Sequence, residues 1–123
     1  MKIFLIFASL YGMVGVVLGA LGAHALKGRL TADQLSSWDT GVRYQLFHAL
    51  ALIAVVLLVD RGIPGLRVSA ICFSVGVVLF SGSIYLLCLG MGPRAVLGPI
   101  TPLGGLTLIA GWGALLVGVL RSA

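Results

Sequence analysis

The chain has 123 residues, 60% of them hydrophobic and only 9% charged, with a mean hydropathy of +1.19. A soluble domain carries roughly 25% charged residues, so this chain has too little polar surface to cover a fold in water, and lipid must be its solvent. Eight basic and three acidic residues give a net charge of +5. The basic residues stand singly between apolar segments, which excludes a nucleic-acid surface and marks them as flanks of membrane spans. At roughly 20 residues per span the length fits about four spans in one domain and is too short for a large transporter with internal repeats.

The first span is expected at Ile3 to Ala23, behind Lys2. Ala23-His24-Ala25 imitates a signal-peptidase site, but the apolar stretch exceeds the roughly 7–15 residues of a signal core, so a retained span is expected. The next polar connection runs from His24 to Arg43. In it TADQ, Thr31 to Gln34, has the form of a capping box. Leu35, Trp38 and Val42 follow at helical spacing. They predict a short amphipathic helix over about 32–41, lying at the interface with Trp38 at headgroup level. Asp39 and Arg43 stand four apart and can pair. A second span is expected over 44–59, and the turn DRGIPGL follows it. A third span, 68–90, carries no charge; MGPRAVLGPITP, Met91 to Pro102, reads as a proline-rich loop; a fourth span covers 103–120. The predicted fold is all-α: an integral-membrane four-helix transmembrane bundle with one interfacial helix between spans one and two. Cys72 and Cys88 share the third span, about 24 Å apart along a helix, and do not pair.

Glycine, with 18 copies, supplies the packing pattern. Ala8, Gly12, Gly15, Gly19 and Gly22 alternate by four and three in the first span. Ser69, Cys72, Gly76, Ser83 and Gly90 do so in the third, and Gly104, Gly111 and Gly118 are seven apart in the fourth. Small residues at this period let backbones approach closely, which is how helices associate when lipid removes the hydrophobic drive between them. Gly12, Gly15, Gly19, Gly22, Gly76, Gly104, Gly111 and Gly118 are the expected packing positions. The same stripes are suited to a second copy or another membrane protein.

The alternation of spans across the bilayer also sorts the polar side chains. His24 ends the first span; Tyr44, Gln45 and His48 open the second; Ser81, Ser83 and Tyr85 lie late in the third; Thr101 and Gly104-Gly105 open the fourth. All fall toward the side of the first loop. Polar groups in hydrocarbon tend to face a bundle interior or a cavity. His24, Tyr44, Gln45, His48, Ser81, Ser83, Tyr85 and Thr101 are therefore the candidate ligand pocket. The plainer alternative is that they hydrogen-bond between helices, at around 0.6 kcal/mol each. Two histidines from neighbouring spans could hold a metal or a haem iron. With no CxxCH, no HExxH and no carboxylate beside them, neither metal nor cofactor is expected. All three acids lie in loops, no catalytic grouping can be assembled, and phosphate-loop and dinucleotide fingerprints are missing. No enzyme is expected. The leading function is that of a structural or accessory membrane protein; the alternative is a binding or transport module for a small ligand, lipid or cofactor.

LGALGAH (18–24), WDTGVRYQLFHALA (38–51), LFSGSIYLL (79–87) and TPLGGLTLIAGW (101–112) resemble, in order, the signature blocks of domain-of-unknown-function family 423. These are small bacterial inner-membrane proteins related to vertebrate transmembrane protein 256. The resemblance implies a multi-pass protein of the cell inner membrane with four spans, and it implies no reaction. Orientation is not decided by the positive-inside rule, because Lys2, Arg61, Arg67 and Arg121 on one side balance Lys27, Arg29, Arg43 and Arg94 on the other. Neutralisation of Arg43 by Asp39 favours both termini in the cytoplasm.

Overall fold

The computed structural model describes residues 1–122. Among them four helices are long and apolar enough to cross a membrane: α1 (Lys2–Ala23), α2 (Ala32–Asp60), α3 (Leu66–Cys88) and α4 (Arg94–Arg121). The described residues hold no strand. At 1.5 Å per residue α1 is about 33 Å long, enough for the hydrocarbon core. Packing follows chain order, with α1 chiefly on α2, α2 on α3, and α3 on α4.

Helix α2 begins as its sequence dictates. The Thr31 hydroxyl accepts the Gln34 N–H at 3.2 Å, and the Gln34 side chain accepts the Thr31 N–H at 2.9 Å. The expected interfacial helix over 32–41 is, however, not a separate element: it is the first turns of α2, which continues unbroken to Asp60. The chain has no proline between Thr31 and Asp60 to break it. Gly41 is held inside the helix against Tyr85 and Ile84 of α3. Trp38 accordingly does not face outward as on a separate surface helix. It is buried, with its ring over Gly22, and its indole N–H donates to the Leu18 carbonyl at 2.8 Å.

The expected loop over 91–102 is the second correction. Helix α4 starts at Arg94 and carries Pro99 and Pro102 inside it. Each proline removes one N–H, leaving the carbonyls of Ala95 and Gly98 without their helical donors. Losing two bonds in lipid is less costly than unwinding the segment, which would leave every backbone group in it without a partner. Thr101 lies level with Ser83, five residues inside the end of α3, so this part of α4 is already within the bundle.

Two cores fill the seams. Toward the turn between α2 and α3, Phe4, Leu52, Val55, Leu66, Phe73 and Leu108 pack together. Toward the first loop, Trp38, Val42, Ile84 and Cys88 form a second cluster. The turn itself needs glycine, because Gly62 and Gly65 have φ of 84° and 75°, left-handed values that side chains resist. Seven of the eight expected packing glycines sit against a neighbouring helix or turn: Gly15 on Leu46, Gly19 on Val42, Gly22 on Trp38, Gly76 on Leu108, Gly104 on Phe80, Gly111 on Phe73, and Gly118 on Leu66 and the Pro64 carbonyl. Gly12 does not. Nothing lies within 4 Å of where its Cβ would be, although Ala8, one turn further along the stripe, is buried in the core with Leu52 and Val55 of α2. Helix α3 is π-helical over Val78–Gly82, and this widened turn is where the backbone of α4 comes closest, at Gly104.

Candidate functional site

The polar side chains of the first-loop half resolve into short hydrogen-bonded chains between helices. The Tyr85 hydroxyl on α3 donates to the Gln45 side-chain oxygen on α2 at 2.7 Å. The Gln45 amide in turn donates to the Tyr11 carbonyl on α1 at 2.8 Å. The Tyr11 hydroxyl donates to the Ser74 carbonyl on α3 at 2.6 Å, closing a circuit through three helices. The Tyr85 ring also packs on Trp38, with centroids 4.8 Å apart. Ser81 lies on the π-helical turn and donates to the Gly41 carbonyl at 2.7 Å. Ser83 shares a 2.6 Å hydrogen bond with the Thr101 hydroxyl, joining α3 to α4. Among the described residues no buried side-chain nitrogen or oxygen lacks a partner.

His48 has both ring nitrogens engaged. Nδ1 lies 2.7 Å from the Tyr44 carbonyl, one turn back on α2, and Nε2 lies 3.0 Å from the indole nitrogen of Trp112 on α4. A carbonyl only accepts and an indole N–H only donates. The geometry therefore assigns the neutral tautomer with its proton on Nδ1, and it leaves no lone pair for a metal. Phe73 and Trp112 meet the imidazole edge to face, at 5.3 and 5.8 Å. The Tyr44 ring stacks beside it at 6.1 Å and rests on Phe80, but is itself partly exposed toward lipid.

The structure does not bring the two histidines together. Gln45 meets Tyr11 and Leu46 meets Gly15, so His48 is level with the middle of α1. His24 caps the end of α1 and is exposed, about 18 Å away along the axis. The other seven pocket residues lie in one region, joined across helices by the hydrogen bonds and ring contacts just described. Tyr11, Ser74 and Trp112 complete this layer and were not among the residues expected there. The described residues contain no group of three His, Cys, Asp or Glu placed to hold a metal.

Comparison with known proteins places this arrangement. Residues 18–105 match the family described as "Protein of unknown function (DUF423)". The chain belongs to this family. The DUF423 match takes in Trp38, Gln45, His48, Ser81, Ser83, Tyr85 and Thr101, while Tyr11 and Trp112 lie outside it. Over nearly full length the chain resembles proteins known by name only as membrane proteins. It is 39% identical to the UPF0382 membrane protein YwdK of Bacillus subtilis (strain 168), with 98% of each chain covered. It is equally identical to the UPF0382 membrane protein SH2409 of Staphylococcus haemolyticus, again over 98% of each. It is 38% identical to the UPF0382 inner membrane protein YgdD of Escherichia coli (strain K12), over 98% of this chain and 91% of that protein. No solved structure matches it. With its four apolar helices, the chain is thus a small multi-pass membrane protein of a family without an assigned reaction.

Two adjoining clefts open at the first-loop end, of about 630 and 570 Å³. Of the eight expected pocket residues, only Thr101 lines either one.

Proposed function

We propose that this DUF423 protein is a structural or accessory component of the membrane, and that its intrabilayer polar layer fixes one arrangement of the four helices. The observation that carries the reading is that the described buried polar side-chain atoms all find hydrogen-bond partners within the chain. A binding pocket keeps a few convergent polar groups free for its ligand. Here Gln45 is bonded at both ends of its amide and His48 at both nitrogens. The outward faces of α1 and α4 stay apolar, with Met13, Val16, Leu106, Ile109 and Leu120 exposed, and are open to lipid or to a neighbouring helix.

The test is native mass spectrometry of the protein released from mild detergent, beside His48→Ala and Gln45→Leu. On this reading the wild type carries no non-lipid mass, and both variants unfold at lower temperature. A non-lipid adduct on the wild type that disappears in His48→Ala, with the melting temperature unchanged, overturns it.

For orientation, the 2.8 Å ion pair of Arg43 with Asp39 supports counting Arg43 as neutral and placing both termini in the cytoplasm. Single cysteines at Lys27 and Arg121, in a chain with Cys72 and Cys88 replaced by alanine, report this through impermeant thiol reagents. Labelling from outside the cell is expected at Lys27 and absent at Arg121; the reverse pattern overturns the assignment.

A further inference from the structure

The two first-loop clefts share Gln34, Leu87, Cys88 and Arg94, so they form one continuous recess. Its upper part has Arg29 from the α1–α2 connection on one wall and Arg94 of α4 on another. Its lower part runs between α2 and α4 across α3, past Ser37, Thr40, Ile84, Leu87, Thr101 and Pro102. We propose that this recess binds an anionic phospholipid, with Arg29 and Arg94 holding the headgroup phosphate and the lower groove taking the first part of an acyl chain.

Three features point to that occupant. The first is unbalanced positive charge. The one ion pair among the described residues joins Arg43 to Asp39, and neither Arg29 nor Arg94 has a carboxylate within pairing distance. Asp33, on the wall of the lower part, is the single acid lining the recess. The second is the placement of Arg94 at the start of a 28-residue helix, with no acidic residue in its first turn and no side-chain cap. The helix N-terminus is itself positive, so guanidinium and dipole repel one another until an anion sits between them. The third is depth. The recess begins where α1 and α3 end, the level at which headgroups lie, and Thr101 carries it about 7 Å below the end of α3. Ile84, Leu87 and Pro102 make that lower wall apolar. A soluble anion has no use for such a groove, whereas a lipid fills both parts. Basic pockets between membrane helices suit anionic headgroups for this reason, and the planar guanidinium fork matches phosphate oxygens in pairs. The recess shares only Thr101 with the polar layer and contains neither His48 nor Gln45, so this inference and the structural reading fail independently.

The experiment is native mass spectrometry of the detergent-solubilised protein titrated with phosphatidylglycerol or phosphatidylcholine. It compares the wild type, R29Q/R94Q, and R61Q/R67Q at the opposite end. The wild type is expected to retain phosphatidylglycerol in preference to phosphatidylcholine. Each arginine near an anionic headgroup is worth about fivefold, so R29Q/R94Q is expected to retain it about thirtyfold less. The R61Q/R67Q variant is expected to match the wild type. A second arm needs no mutation: retention by the wild type falls as salt is raised, since the contact is Coulombic and at the interface. Equal retention of the two lipids, undiminished retention by R29Q/R94Q, or indifference to salt each overturns the proposal. Displacement of the lipid by inorganic phosphate at equal concentration also overturns it, since the site would then be one for a soluble anion.

Discussion

The seam between α1 and α2 and the seam between α3 and α4 both rest on glycines, but they use them differently. In the first, large side chains of α2 lie in the space the glycines leave: Leu46 on Gly15, Val42 on Gly19, and Trp38 on Gly22. Two of the α2 side chains at this seam also donate to backbone carbonyls of α1, Trp38 to Leu18 and Gln45 to Tyr11. In the second, Gly76 and Gly111 likewise take the side chains of Leu108 and Phe73, but Gly104 and Gly118 are met by backbone. A Cβ on Gly104 would fall on the backbone of Phe80, and one on Gly118 would stand 2.7 Å from the Pro64 carbonyl oxygen. The difference teaches where each seam can yield. A side chain can turn aside, but a backbone can move only if a whole helix moves.

The largest effect should therefore fall on the second seam. Gly104→Ala has no side chain to displace, so α4 must shift away from the π-helical turn, at about 3 kcal/mol, the upper part of the overpacking range. Gly15→Ala meets side chains alone, chiefly the end of Leu46 and more loosely the Gln45 amide nitrogen at 3.3 Å, and should cost about 1 kcal/mol. Equilibrium unfolding in mixed micelles measures both. Equal losses at the two positions would break the contrast between the seams.

Next comes His48→Ala, at about 2 kcal/mol. It strips the acceptor from the Trp112 indole, and a donor left without a partner, here away from water in the hydrocarbon, costs on the order of 1–3 kcal/mol. The readout is specific, since Trp112 leaves its hydrogen bond while Trp38 keeps its own to Leu18. In a Trp38→Phe background the indole emission should change on replacing His48. Unchanged emission and unchanged stability together would show that the contact carries no energy.

A smaller change sharpens the picture of the first seam. Tyr85→Phe removes the donor to Gln45 while keeping the ring on Trp38, and should cost around 0.6 kcal/mol, the average for interhelical hydrogen bonds in membranes. In Gln45→Leu the same substitution should cost almost nothing, because the bond is already gone. Equal costs in the two backgrounds would mean that the two residues are not coupled.

How much of this was legible in the sequence divides along physical lines. Hydropathy and length gave four apolar helices because the solvent imposes them. The Thr31–Gln34 capping box and the Asp39–Arg43 pair are local, three and four residues apart, and both form. The glycine stripes were visible as a period. The partners of the polar layer were not, because most are backbone carbonyls: Leu18, Tyr11, Ser74, Gly41 and Gly111 accept from Trp38, Gln45, Tyr11, Ser81 and Ser69. A carbonyl has no residue type, so no pattern announces it. His48 and Trp112 are 64 positions apart, and nothing local links them. The prolines at 99 and 102 read as loop under rules learned in water, whereas lipid favours keeping the helix. The recess with Arg29 and Arg94 was hidden for a further reason: its residues looked like topology signals, and only the fold brings them to one opening.

The smallest effect is expected at Gly12, and it is the most discriminating. Gly12 belongs by spacing to the stripe of Gly15, Gly19 and Gly22, yet it faces open space. In a helix that lipid already holds formed, Gly→Ala adds little of the ~1 kcal/mol propensity gain seen in peptides. Gly12→Ala should therefore leave the unfolding free energy of the monomer within about 0.5 kcal/mol of wild type. Loss of stability would mean that α1 packs with a different rotation, one that turns Gly12 onto a neighbouring helix. Unchanged stability with loss of self-association, read by energy transfer between labelled copies in one bilayer, would instead assign the outward glycine to a contact with a second chain. The same substitution thus tests the inner and outer use of one stripe, because the two faces of α1 answer to different measurements.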